Sequence, residues 1–98
     1  MSTRFEVEIT DQPSARRYEM RVEGELAGLL EYRADSEDGP VRFTHAEVYP
    51  RYDKQGLGTR MVAHAVADVV GQHRKFVPEC PFVAYFVDNH PEYSEHVA

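Results

Sequence analysis

The sequence predicts an α+β domain built on a mixed sheet, with an antiparallel N-terminal meander followed by a strand, a helix, a second strand and a second helix. Three observations predict it. Apolar residues alternate through the first half of the chain, the period lengthens to that of a helix after Pro50, and a short strand-like run then leads into a second helical segment. Strand side chains change face at every residue, whereas helix side chains return to one face every three or four.

The elements follow in order. Phe5, Val7 and Ile9 alternate, as do Tyr18, Met20 and Val22, and the turn-forming run Thr10 to Ser14 joins the two strands. Gly24-Glu25 separates the second strand from a third over Leu26 to Tyr32. Arg33 to Pro40 is rich in Asp, Glu, Ser and Gly and reads as a mobile loop, with Asp35 to Asp38 a solvated acidic stretch. Val41 to Tyr49 reads as a short or irregular strand, because neither of its parities is wholly apolar. Leu57, Met61, Val62, Ala65, Val66, Val69 and Val70 recur at helical spacing, and Gly71 is the expected stop. Lys75 to Pro78 is a strand candidate. Phe82 to Val87 continues as a helix for which Pro81 suits the first position, and Asn89-His90-Pro91 ends it.

A chain of 98 residues suits one domain, spanning 1–98. Its hydrophobic fraction of 42% with 29% charged residues is that of a folded protein rather than a disordered one. The formal net charge of -6 argues against nucleic acid as a partner and favours cationic partners such as amines. With a single cysteine, no internal disulfide is expected. No leader and no apolar run of about 20 residues is seen, so a cytoplasmic location without membrane attachment is expected. His64 and His73 lack helical i,i+4 spacing, and no metal site is expected.

The most informative stretch is Tyr52-Asp53-Lys54-Gln55-Gly56-Leu57-Gly58-Thr59, between a strand and the clearest helix. Glycines there let the backbone turn tightly, and the unpaired N–H groups of the helix that follows point at the same spot, which suits a pyrophosphate. A Walker loop would need a terminal Gly-Lys-Ser/Thr and a dinucleotide fingerprint a third glycine, so neither ATP nor NAD is favoured. The bland alternative is a purely structural strand-to-helix turn.

At Gln55-Gly56-Leu57-Gly58 the sequence resembles the GCN5-related N-acetyltransferases, whose phosphate turn follows an Arg/Gln-x-x-Gly-x-Gly/Ala pattern. Asp53 stands where many members carry Arg or Gln, which removes side-chain help but not the backbone cradle. His45-Ala46-Glu47-Val48, Pro78-Glu79-Cys80-Pro81-Phe82 and His90-Pro91-Glu92-Tyr93 extend the likeness to the minimal subgroup of roughly a hundred residues, over about Tyr18 to Tyr93. Ala46 occupies a position where many of that subgroup have threonine.

The resemblance implies a compact fold in which the strands near Tyr49 and Val77 splay around the pantetheine arm of acetyl-CoA. It implies that backbone groups near Val48 bind the pantetheine and polarise the thioester, and that N–H groups from Gln55, Gly56, Leu57, Gly58 and Thr59 hold the pyrophosphate. His90 and Pro91 are further cofactor-contact candidates, with a helix-stop role as the alternative. Cys80, before Pro81, falls at a helix start, a setting that favours thiolate, so it is a candidate acid, base or transient acetyl acceptor. The alternative is a small buried hydrophobe. His45 is a candidate base for an attacking amine, with Glu47 on the same parity to orient it or to bind the amine; the alternative is a pair of ordinary strand residues.

The expected activity is acetyl transfer from acetyl-CoA to an amine, on a small molecule, a peptide or a protein. The competing function is a coenzyme A-binding or protein-interaction module with little catalysis.

Overall fold

A computed structural model describes residues 6–98. Phe5, the first of the alternating apolar residues, lies outside the described residues. One five-stranded sheet runs in the order β1 (Val7–Gln12), β2 (Arg17–Val22), β3 (Glu25–Ala34), β4 (Val41–Val48) and β5 (Phe76–Pro78). The first four are antiparallel neighbours, and β5 lies parallel to β4. That parallel step needs a crossover, which α1 (Leu57–Gly71) supplies. The second helix, α2 (Pro81–Asp88), follows β5 directly.

Both helices bury into one core. Met61, Val62, Ala65, Val66 and Val69 of α1 and Val83 and Phe86 of α2 meet Met20, Leu30 and Phe43 from the sheet. The α1 positions are those whose helical spacing predicts a buried face. Tyr18 closes one side of this core, its hydroxyl donating to Asp68 of α1 at 2.6 Å. The opposite face of the sheet carries the other parity, including Arg17, Glu19, Arg21, Glu31, His45 and Glu47, and is predominantly charged.

Several boundaries differ from the sequence reading, each for a local reason. The β2–β3 turn centres on Glu23-Gly24, both with positive φ, 51° and 83°, as a tight two-residue hairpin requires. Glu25 therefore begins β3. The helix α1 does not stop before Gly71 but includes it. His73 takes the left-handed conformation instead, φ 60°, and its N–H returns to the Val70 carbonyl. Three short 3-10 turns, Pro13–Ala15, Pro50–Tyr52 and Pro91–His96, each open on a proline. The acidic loop after β3 is tied down by Arg74, which donates to the carbonyls of Ser36 at 2.7 Å and Gly39 at 2.8 Å.

The mixed parity of β4 has a single cause. Phe43 pairs with Tyr32 and His45 with Glu31, so Thr44 is an extra residue, a β-bulge. The bulge reverses which parity faces the core. Val41 and Phe43 point inward before it and Ala46 and Val48 after it, leaving His45 and Glu47 on the charged face.

Candidate functional site

The strands β4 and β5 part company after three residue pairs. Val41, Arg42 and Phe43 pair with Phe76, Val77 and Pro78, and the Cys80 N–H then donates to the Phe43 carbonyl at 2.9 Å. Beyond that point β5 has turned into α2, and β4 continues to Val48 without a partner on that side among the described residues. The opening between them is a cleft of about 300 Å³. Val48, Gly56, Gly58, Thr59 and Phe82 line it, together with Ala46 at its inner end.

The backbone of β4 presents hydrogen-bonding groups to this cleft. The Tyr49 N–H donates to the Ala27 carbonyl of β3 at 2.9 Å. Peptide groups alternate along a strand, so those of Val48 and Ala46 face the other way, into the cleft.

The start of α1 forms the outer wall. Gly56 is its N-cap, at φ 75°, a conformation that glycine adopts without strain. No side chain caps the helix, and the first intrahelical bond at this end runs from the Arg60 N–H to the Gly56 carbonyl at 3.2 Å. The amides of Leu57, Gly58 and Thr59 therefore stand at the positive end of the helix without an intrahelical acceptor, an arrangement suited to an anion. At Gly58 a Cβ would come within 2.7 Å of the Phe82 ring and 3.2 Å of Val48. Its small size lets α1, α2 and β4 meet around the cleft.

The side chains at the rim divide between charges. Asp53 accepts a bond from the Lys54 N–H at 2.9 Å, fixing Lys54 in a left-handed conformation, φ 62°. A carboxylate and an ammonium thus flank the glycine turn. Gln55 donates to the Arg51 carbonyl at 3.4 Å and borders a neighbouring hollow of about 250 Å³, on the far side of Tyr52. Glu25 joins these segments, accepting from Arg51 at 2.9 Å and from the Tyr52 hydroxyl at 2.7 Å, and that bond raises the Tyr52 pKa.

The remaining candidates fall in three places. Cys80 is buried at 5% exposure, at the N-cap of α2 where the strands part, and its thiol makes no hydrogen bond to His45. His45 and Glu47 are half-exposed on the charged face, with Nε2 and Oε1 4.0 Å apart. Their spacing is that of neighbours one strand repeat apart on the same face. His90 stacks on Phe86 with ring centroids 4.1 Å apart and its Nδ1, protonated, donates to the Phe86 carbonyl at 2.8 Å. It thereby closes the end of α2, and neither it nor Pro91 lines the cleft.

Phe82 and Tyr52 contribute to the cleft wall although the glycine pattern does not single them out. Phe82 had a readable signal, since a residue at the second position of a helix that starts beside the open strand must face the gap. No group of His, Cys, Asp and Glu residues among the described residues could hold a metal ion.

A splayed pair of strands with an uncapped, glycine-opened helix at its mouth defines an acyltransferase-type fold. The chain belongs to the GCN5-related N-acetyltransferase family, whose model matches residues 17–97. Among solved structures it is similar to a GCN5-like protein of Staphylococcus aureus, with 16% identity and a TM-score of 0.68 over 93% of this chain and 87% of that one. It is also similar to N-acetylglutamate synthase of Neisseria gonorrhoeae in complex with coenzyme A and N-acetyl-glutamate, at 14% identity and TM-score 0.58. There the match takes in 85% of this chain but only 22% of the larger one. An aminoglycoside acetyltransferase from a soil metagenome matches at 15% identity and TM-score 0.52 over 88% and 66% of the two chains. At these identities the likeness is one of fold. No curated protein sequence gives a match.

Proposed function

We propose that the protein binds acetyl-CoA in the cleft between β4 and α2 and transfers the acetyl group to an amine. The observation that carries this reading is the parting of β4 from β5 at Phe43 beside the uncapped start of α1. A pyrophosphate at the amides of Leu57, Gly58 and Thr59 sits one cleft-length from the free peptide groups of Val48 and Ala46, which are placed to bind an amide-rich pantetheine as an added strand would. The cleft of about 300 Å³ suits that arm, with the nucleotide end on the surface.

In this reading the amine nitrogen attacks the thioester carbonyl, the coenzyme A thiolate leaves, and the amine loses a proton. A peptide N–H of β4 facing the cleft polarises the carbonyl. His45, with Glu47 at 4.0 Å to hold the imidazolium that forms, takes the proton on the open face of the sheet. That face has no covering element among the described residues, which suits an acceptor presented by a larger molecule. Cys80 is buried in the core where β4 and β5 part and does not line the cleft, which favours direct transfer; an acetyl-Cys80 intermediate is the alternative route.

Calorimetric titration with acetyl-CoA and with coenzyme A, followed by the intact mass of the protein, tests the proposal. Saturable binding with no mass gain supports direct transfer, and an added acetyl group on Cys80 supports the covalent route. No binding at millimolar cofactor overturns the proposal and returns the glycine turn to a structural role. Binding without turnover across a panel of amines and peptides favours a coenzyme A-binding module.

A further inference from the structure

The far end of the sheet carries a further cleft, of about 530 Å³, which Arg16, Arg33, Arg42 and Arg74 line, with Arg33 donating to the Tyr32 carbonyl at 3.1 Å. Four of the eleven basic residues of a chain with net charge -6 meet there. It lies beyond the C-terminal end of α1, a helix of 15 residues, or about 22 Å from the glycine turn at the other end. Nothing in the proposed acetyl transfer uses it.

Its central feature is a cross-strand pair of like charges. Arg33 of β3 and Arg42 of β4 are register partners, directly opposite one another on the same face. Such a pair repels, and is destabilising unless something intervenes. The neutralising carboxylates are few. Arg42 meets Glu79 only at 3.5 Å, and Arg16 and Arg33 have no carboxylate within 4.0 Å among the described residues. Asp35 and Glu37 border the cleft without pairing to any of the four.

The cleft is also partly fixed in shape. Arg74 is held by two loop carbonyls through Nε and Nη2. Arg16 is held in a left-handed conformation, φ 56°, with its carbonyl accepting from the Tyr32 N–H at 3.0 Å. Tyr32 in turn donates its hydroxyl to Asp11 at 2.7 Å. The negative end of α1 accounts for attracting a cation such as Arg74. It does not account for Arg33 facing Arg42 on the outer side of the sheet.

We infer that this cleft binds a small oxyanion of the phosphate type, carrying at least two negative charges, bridged between Arg33 and Arg42 and flanked by Arg16. Guanidinium groups match tetrahedral oxyanions through paired N–H donors, and an anion between the two arginines converts their repulsion into attraction.

Inorganic phosphate is the probe, titrated at constant ionic strength against sodium chloride, with thermal midpoint and amide NMR shifts as readouts. The expected result is a saturable rise in midpoint with shifts at Arg33, Ala34 and Arg42. Arg33→Gln weakens phosphate binding by about tenfold or more, while leaving the phosphate-free protein as stable as before or more so. Asp35→Asn tightens it. Equal stabilisation of wild type and Arg33→Gln, reproduction of the effect by chloride, or shifts confined to Leu57 to Thr59 would each overturn the inference.

Discussion

The Cys80 N–H donates to the Phe43 carbonyl at 2.9 Å, and this is the last hydrogen bond that joins β4 to the segment beside it. One residue further along β4, Thr44 bulges out of the pairing with β3 and its hydroxyl donates to the Glu31 carbonyl at 3.4 Å. The opening of the sheet and the reversal of strand parity therefore occur side by side. Together they turn the backbone of Ala46 and Val48 towards the cleft while sending His45 and Glu47 to the open face.

Gly58→Leu places a side chain where Phe82 and Val48 already approach a Cβ position to 2.7 and 3.2 Å. Phe82 is at the surface and can swing away, so the fold survives with circular dichroism unchanged, at a cost of about 1–3 kcal/mol. The cleft does not survive, and calorimetry should show coenzyme A affinity reduced by about tenfold or more.

Cys80→Ala separates two chemical routes. The substitution removes one buried sulfur from a well-packed core, lowering stability by about 1 kcal/mol. With any amine that turns over, the rate at saturating substrate is expected to persist, as direct transfer requires; loss of turnover with retained cofactor binding would assign the thiol a chemical role.

Alkaline pH should destabilise the protein through the buried Tyr18 and the half-buried Tyr32. Burial, and then the hydrogen bond to Asp68, raise the Tyr18 pKa, and burial with Asp11 raises that of Tyr32. The folded state keeps these protons where the unfolded chain loses them. Their contribution is complete below about pH 10 and declines as the pH rises further. Tyr18→Phe lowers neutral-pH stability by about 1 kcal/mol and reduces the alkaline slope, leaving the part due to Tyr32, as chemical denaturation across pH 8 to about 11 will measure.

Glu19 gives the opposite sign at low pH. Hydrogen bonds from Arg17 at 2.8 Å and Arg21 at 3.1 Å lower its pKa against the effect of burial. Glu19 itself is buried, but its partners Arg17 and Arg21 are 30% and 42% exposed, so the pair energies are discounted towards those of surface bridges. The stabilisation is present above the ordinary carboxylate pKa of about 4.3 and is lost as the pH falls through the lowered value. Glu19→Gln should cost up to about 1 kcal/mol at pH 7 and flatten the acid limb of the stability profile.

His73→Gly is expected to stabilise. His73 is exposed and left-handed at φ 60°, a conformation that costs a residue with a Cβ about 1–2 kcal/mol. Part of that gain is offset by glycine's greater freedom in the unfolded chain, leaving a rise of a few tenths to about 1 kcal/mol by denaturant titration.

What the sequence alone determined was whatever repeats with a regular period or sits in one contiguous stretch. The meander, the buried face of α1 from Leu57 to Val69, and Pro81 at the head of α2 are local patterns, and each is found where its pattern lies. The Gln55 to Thr59 turn was legible for the same reason, since a strand-to-helix turn is made by consecutive residues. Tertiary structure decided the rest. The Thr44 bulge is visible only when β4 is laid against β3, because an extra residue is defined by the partner it lacks. The separation of Cys80 from His45 depends on that bulge, which assigns His45 to the opposite face. The meeting of Gly58 with Phe82, and of Arg33 with Arg42, joins residues of different elements. No periodicity records such pairs, because side-chain contact across elements is set by strand register and helix packing rather than by local spacing.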